Sequence, residues 1–168
     1  MNFNNIPQFP NPHYSVDVAW WHLETTLTLF SETGLDLDPD FQRGHVWTME
    51  QRVAYIEFSL RGGESARTIY FNSYDTRALR DLVLIDGKQR LTSVRMFLKG
   101  EVPVFGEYIS AMGKLPTMFP RLSFSVFSMP DRASVLRWYL AMNSGGSVHA
   151  KEEIARVQRL LQEEEHKA

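Results

Sequence analysis

The chain has 168 residues, of which 43% are hydrophobic and 23% charged, and it contains no cysteine. This length and composition suit one globular domain spanning residues 1–168, and the missing cysteines exclude disulfide frameworks, thiolate metal sites and thiol nucleophiles. The formal net charge of −2 argues against a general nucleic-acid binder, because such proteins are usually basic overall.

The charges are unevenly distributed along the chain. Residues 1–40 hold six acids and no lysine or arginine, whereas residues 41–100 hold ten bases against six acids. A site for an anion is therefore expected in the middle third. No apolar run approaches the roughly 18 residues of a membrane span, and the polar N-terminus does not resemble a signal peptide. We expect a cytoplasmic protein without membrane contact.

The first half of the chain alternates between strand and helix patterns. Alternating apolar residues at 14–18 predict a strand, and apolar residues at helical spacing predict a helix from 20 to about 34. Thr48 followed by Gln51 is a capping-box pattern, which opens a helix to about residue 60. The first 13 residues are expected to be a flexible end.

The second half continues the mixture. A β-branched and aromatic run predicts a strand at 68–71, and a continuous apolar run predicts a buried strand at 82–85, followed by a helix that ends near residue 100. The remaining predictions are a strand at 102–105 weakened by Pro103, a loop at 106–120, a strand at 122–126, a helix capped by Asp131, a turn at 143–146, and a last helix from about 151 with a flexible end at 163–168. Together they predict an α+β fold, a small mixed sheet with surrounding helices.

The segment from Asp86 to Arg90 carries the clearest chemical signal. Gly87 allows a tight turn between the buried strand and a helix, and the first turn of a helix exposes unpaired N–H groups that favour anions. Lys88 and Arg90 add positive charge at the same place, and arginine binds phosphate oxygens as a fork. The structural alternative, of equal weight, is that Asp86 caps the helix while both cations are solvated.

Asp86 complicates a simple phosphate site, because a carboxylate repels bound phosphate. It is better explained as a helix cap, as a residue that positions water, or as a ligand to Mg²⁺. Magnesium in proteins is often held by one or two carboxylates, with water and phosphate completing its coordination. Asp86 is therefore the candidate metal ligand.

Two other clusters contain residue types suited to a site. Gln42, Arg43 and His45 lie in a loop before the capped helix, and the histidine titrates near neutrality, as a general acid–base group must. Asn143 and His149 flank a glycine-containing turn ahead of Glu152 and Glu153. For each cluster the structural alternative is an ordinary polar loop or turn.

These segments together resemble a known family. Residues 39–43 with Trp47, residues 85–92, and residues 143–146 before a glutamate-led helix occur in the order of the ParB/sulfiredoxin-like domain, which begins GmrSD-type restriction proteins and occurs in phage proteins. The Asp-Gly-x-Gln-Arg motif at 86–90 followed by Leu-Thr is the most specific part. Lys88 stands where the family most often has glutamine, which adds charge.

The resemblance implies a nucleotide-binding fold with nucleoside triphosphate as ligand or substrate, and Mg²⁺ is the metal expected from the Asp86 carboxylate. It places the catalytic and phosphate-binding turn at Asp86, Gly87, Lys88, Gln89, Arg90 and Thr92, with Gln42, Arg43 and Asn143 closing the site. The sulfiredoxin reaction needs a cysteine in this turn and is excluded. We expect neither the separate nuclease domain of GmrSD proteins nor the helix-turn-helix of ParB within these 168 residues.

Two classes of function follow from this reading. The first is an enzyme, a Mg²⁺-dependent nucleoside triphosphatase linked to DNA transactions or phage defence, with or without weak DNA nicking; Asp86, Arg90 and His45 would be its catalytic residues. The second is a non-catalytic module that senses a nucleotide or DNA, or that binds and inhibits a host or defence protein. Release of phosphate by the purified protein distinguishes the two classes.

Overall fold

A computed structural model describes residues 10–42, 46–75, 80–113, 120–143 and 151–167. These form a mixed α+β fold, as predicted. The strands are β1 (Tyr14–Ala19), β2 (Leu35–Asp36), β3 (Thr68–Asp75), β4 (Arg80–Asp86) and β5 (Arg121–Phe127). The α-helices are α1 (Leu23–Ser31), α2 (Met49–Leu60), α3 (Lys88–Leu98), α4 (Arg132–Asn143) and α5 (Lys151–Lys167), and short 3₁₀ helices cover Trp20–His22 and Asp40–Gln42.

The five strands form one mixed sheet in the order β1-β5-β3-β4-β2. β1 pairs antiparallel with β5, β5 runs parallel to β3, β3 pairs antiparallel with β4, and β2 runs parallel to β4. Because β2 and β4 are parallel, these two strands end at the same edge of the sheet. The 3₁₀ helix after β2 and the turn after β4 therefore meet there, which is where ligands bind in many open sheets.

Helices cover both faces of the sheet. The larger hydrophobic core contains Leu82 and Leu84 of β4 together with side chains of α1, α2 and α3. The smaller core contains Val83 and Ile85 with side chains of α4, α5 and the second 3₁₀ helix. This double burial explains why the sequence of β4 is continuously apolar and not alternating. Each such side chain contributes about 1.5–3 kcal/mol on full burial.

The helix after Thr48 begins as its capping box predicts. The Thr48 hydroxyl accepts a hydrogen bond from the Gln51 backbone N–H, and the Gln51 side chain accepts one from the Thr48 N–H. At the start of α4, the Asp131 carboxylate accepts from the Ser134 N–H at 2.7 Å. Both predicted N-caps are confirmed.

The predicted strand at 102–105 is wrong. Val102 and Val104 are fully buried in the larger core, but only a single antiparallel bridge joins Val104 to Glu107. Phe105 and Gly106 between them have φ angles of 52° and 81°, so the backbone turns at once. The apolar pattern correctly predicted that these residues are buried, but they flank a two-residue turn and do not form a strand.

The structure describes only part of the chain ends and of the long loop. Residues 1–9 of the predicted flexible start and residues 114–119 of the predicted loop lie outside the described residues. Residues 163–167 continue α5, and Glu164 and Glu165 form ion pairs with Arg132 and Arg137. Flexibility of this end stays a prediction. Among the described helices, none has the length and apolar character needed to cross a membrane.

Candidate functional site

The turn after β4 is a strand-to-helix junction, as the sequence predicts. β4 ends at Asp86, Gly87 has a left-handed φ of 101°, and α3 begins at Lys88. As the N-cap, Gly87 offers no side-chain oxygen to the first N–H groups of α3, and no acid lies in the first helical turn. Among the described residues, no side chain therefore caps the first N–H groups of α3, and the partial positive charge of the helix start is retained.

Gly87 is required here by close packing as well as by its backbone angle. A Cβ atom at this position would lie 2.6 Å from Ile69 Cδ1 and 3.2 Å from Ile69 Cα in β3. It would also lie 3.2 Å from Nη2 of Arg90. The absence of a side chain lets the turn approach β3 and leaves room for the guanidinium group.

Arg90 and Asp86 form an ion pair across the turn. Nη2 of Arg90 donates to Oδ2 of Asp86 at 2.5 Å, with side-chain exposures of 20% and 45%. Nε of Arg90 is buried and has no hydrogen-bond partner among the described residues. Burial raises the pKa of neighbouring Tyr55 to about 12, and the charge of Arg90 acts in the opposite direction. Arg90 thus presents a guanidinium group that is only partly satisfied.

Lys88 also has an acidic partner. Its Nζ forms an ion pair with Asp38, whose carboxylate is mostly exposed. Nearby, Nη2 of Arg132 donates to both carboxylate oxygens of Asp40, at 2.7 and 2.9 Å. Some of the acidic residues among the first 40 therefore neutralise cations at this edge of the sheet.

Gln89 ties α3 to the segment before α2. Its Oε1 accepts from the Trp47 backbone N–H at 3.0 Å and from Nη2 of Arg52 at 3.2 Å. Arg52 is buried and also donates to Oγ of Ser93 at 3.3 Å. The amide oxygen of Gln89 thus has a structural role, and contact between Gln89 and phosphate stays a prediction. Sequence analysis missed Arg52, because its partners lie 37 and 41 residues away.

Gln89→Ala should lower the free energy of unfolding by about 1–3 kcal/mol, because it leaves partly buried donors of Arg52 and Trp47 without an acceptor. Urea denaturation measures the change. Gln162→Ala, at an exposed position of α5, is the matched control and should stay within about 0.5 kcal/mol of the unmodified protein. A loss in Gln89→Ala no larger than in this control would contradict the structural role.

The other predicted site residues occupy different positions. Nε2 of Gln42 donates to the Leu84 carbonyl at 2.8 Å, which fixes the 3₁₀ helix against β4. Asn143 is the last residue of α4, and its Nδ2 donates to the Tyr139 carbonyl at 2.7 Å. Thr92 is partly exposed in α3. Arg43, His45 and His149 lie outside the described residues, so the expectation that Arg43 closes the site around Arg90 stays a prediction.

A polar cluster lies on the side of the sheet covered by α4 and α5. The hydroxyl of Tyr139 donates to Oε1 of the buried Glu153 at 2.9 Å. Burial, the bond to Glu153 and the charge of Asp86 raise the pKa of Tyr139, while the charge of Arg156 lowers it. The hydroxyl therefore stays protonated and lies within electrostatic range of both Asp86 and Arg156. The sequence singled out neither Tyr139 nor Arg156.

The carboxylates limit how a metal ion can bind. Within the described ranges, no three histidine, aspartate or glutamate side chains are grouped closely enough to hold one. Asp86 offers one carboxylate, of which one oxygen already accepts from Arg90. This donor set suits Mg²⁺ bound mainly by water and phosphate, and it does not suit a metal enclosed by protein ligands.

The sheet and its glycine turn define a small α+β domain with a cationic helix start at the end of a buried strand. Residues 26–116, more than half of the 168, match the family described as the N-terminal domain of GmrSD restriction endonuclease, and the chain belongs to this family. Neither the curated proteins nor the solved structures contain a match to it.

Proposed function

We propose that the chain is a nucleotide-binding domain that serves restriction or phage defence, and that the start of α3 binds the nucleotide phosphates. The family name refers to a restriction endonuclease, which supports a role in DNA transactions. The observation that carries the phosphate site is Arg90, whose buried Nε lacks a partner in the described residues beside an uncapped helix start. A phosphate oxygen is a suitable acceptor for both.

The existing ion pairs do not prevent such binding. Asp86 and Asp38 have side-chain exposures of 45% and 73%, so water already solvates much of each carboxylate. Ion pairs of this kind typically contribute about 0–1 kcal/mol. A phosphate group carries a larger charge and several acceptor oxygens, and it gains the helix start in addition. It can therefore displace the carboxylates from Lys88 and Arg90, or share these two cations with them.

We extend the proposal to hydrolysis of a nucleoside triphosphate. Arg90, Lys88 and the N–H groups of α3 would stabilise negative charge that develops on the transferred phosphoryl group. Asp86 would orient the attacking water or hold Mg²⁺, which when bound would neutralise phosphate charge. His45 would carry the proton. That the chain has a ParB/sulfiredoxin-like fold is also part of this proposal.

A second candidate is a binding module without turnover. It is favoured by the ion pair between Asp86 and Arg90, because one carboxylate oxygen of Asp86 already accepts a hydrogen bond from Arg90 and is not free to orient a water molecule. In this case nucleotide occupancy would control contact with DNA or with a host or defence protein. The two candidates share the phosphate site and differ only in whether phosphate is released.

A panel of ribonucleotides and deoxyribonucleotides, with and without Mg²⁺, tests both candidates. A nucleotide at 100 times its dissociation constant should stabilise the fold by about 2.7 kcal/mol, which raises the melting temperature. Magnesium-dependent release of phosphate from the same samples would support the hydrolase. Stabilisation without release would support the module, and the absence of any thermal shift would contradict nucleotide binding altogether.

A further inference from the structure

Arg156 of α5 is a partly buried cation with no acidic partner among the side chains that the structure describes. Its Nη2 donates to the Phe41 backbone carbonyl at 3.0 Å, and its buried Nε has no hydrogen-bond partner in the part of the chain that the structure describes. Among the same residues no carboxylate lies within ion-pair distance of it, in contrast to Arg90, Arg95 and Arg132. A buried charge without a counter-charge is costly unless an anion compensates it.

The fold places Arg156 at the same sheet edge as the α3 start. Phe41 belongs to the 3₁₀ helix that follows β2, and β2 runs parallel to β4, which ends at Asp86. The Tyr139 hydroxyl senses the charges of both Asp86 and Arg156. Arg90 therefore reaches this edge from the face covered by α3, and Arg156 reaches it from the face covered by α5.

Two arginines, each with a buried Nε that has no partner among the described residues, thus lie on opposite faces of one sheet edge. A single phosphate at the α3 start would engage Arg90 and leave Arg156 uncompensated. A chain of two or three phosphates offers a second anionic group to Arg156. Arg156 lies outside residues 26–116, so the family match does not include it.

We propose that Arg156 binds an outer phosphate of the ligand, so that the site selects di- and triphosphates over monophosphates. This inference rests on the proposed function, since it assumes a phosphate at the start of α3. It assigns α5 a direct binding role in addition to its packing role in the smaller core. A guanidinium group contributes to such a site through two parallel N–H donors, which a lysine cannot supply.

Calorimetric titration with inorganic phosphate and with tripolyphosphate tests the inference without assuming a nucleoside. The unmodified protein should bind tripolyphosphate more tightly than phosphate. Arg156→Met should weaken tripolyphosphate binding about tenfold or more and leave phosphate binding unchanged, since a charge-assisted hydrogen bond is lost. Arg159→Met, at an exposed position of the same helix, should change neither affinity.

The outcomes separate this inference from the proposed function. If the unmodified protein binds neither anion, the phosphate site fails and the inference fails with it. If it binds both and Arg156→Met retains the tripolyphosphate affinity, or weakens both anions equally, only the role of Arg156 is overturned.

The melting temperature of the ligand-free protein adds a second readout. Because Arg156→Met removes both the charge and the donor to the Phe41 carbonyl, this temperature establishes that the variant is folded before it is titrated. If Arg156→Met does not fold, Arg156→Lys replaces it in the titrations. Unchanged tripolyphosphate binding by that variant would overturn the inference, and weakened tripolyphosphate binding with unchanged phosphate binding would support it.

Discussion

Arg90→Ala should remain folded and lose nucleotide affinity by roughly tenfold or more, since it removes a charge-assisted contact worth about 1.5–3 kcal/mol. The fold should survive because the partner carboxylate of Asp86 is 45% exposed and can be hydrated once the arginine is gone. Isothermal titration of the folded variant with the nucleotide that gives the largest thermal shift measures the loss.

Arg95→Ala is the matched control for this prediction. Arg95 lies in the same helix and pairs with Glu24 on the surface, through bonds of 2.6 and 3.0 Å. Its removal deletes an arginine and an ion pair but should leave nucleotide affinity unchanged. Equal affinities of Arg90→Ala and Arg95→Ala would remove the central residue from the proposed site.

Gly87→Ala should reduce both stability and binding. A left-handed backbone at a non-glycine residue costs about 1–3 kcal/mol. Contact with Ile69 at 2.6 Å adds overpacking, which typically costs another 1–3 kcal/mol or so. The new methyl group would also lie 3.2 Å from Nη2 of Arg90 and displace it. Chemical denaturation and nucleotide titration measure the two effects.

Gly62→Ala separates backbone strain from crowding. Gly62 has a similar φ of 90°, but a Cβ there would have no atom within 4 Å. This control should lose only the backbone contribution and bind nucleotide normally. If both alanine variants were destabilised equally, the close approach of the Gly87 turn to β3 would have no energetic importance.

The features that the sequence predicted correctly depend on neighbouring residues. The capping box of Thr48 and Gln51 needs only a spacing of three, and the junction at Gly87 needs only an apolar run, a glycine and a helical repeat. The residues at 102–105 were misread because burial and strand formation share the same apolar signal. Nothing in the apolar pattern indicates that Phe105 adopts a positive φ angle.

The missed parts of the candidate site depend on distant residues. The bond from Arg156 to Phe41 spans 115 positions, and the bond from Tyr139 to Glu153 crosses between two helices. No local pattern distinguishes Arg156 from Arg159, although one has a buried nitrogen and the other is exposed. Only the packing of α5 against the 3₁₀ helix at Asp40–Gln42 creates that difference.

The strand order has a consequence for where this domain can be divided. Residues 26–116 contain β2, β3 and β4, but β5 pairs with the other side of β3 and lies beyond that segment. A chain trimmed to the segment would leave the edge of β3 without its partner and would lose the α4 and α5 cover over Val83 and Ile85. Open apolar edges of this kind recruit other strands and aggregate. The region of recognisable family sequence is therefore smaller than the unit that must fold together.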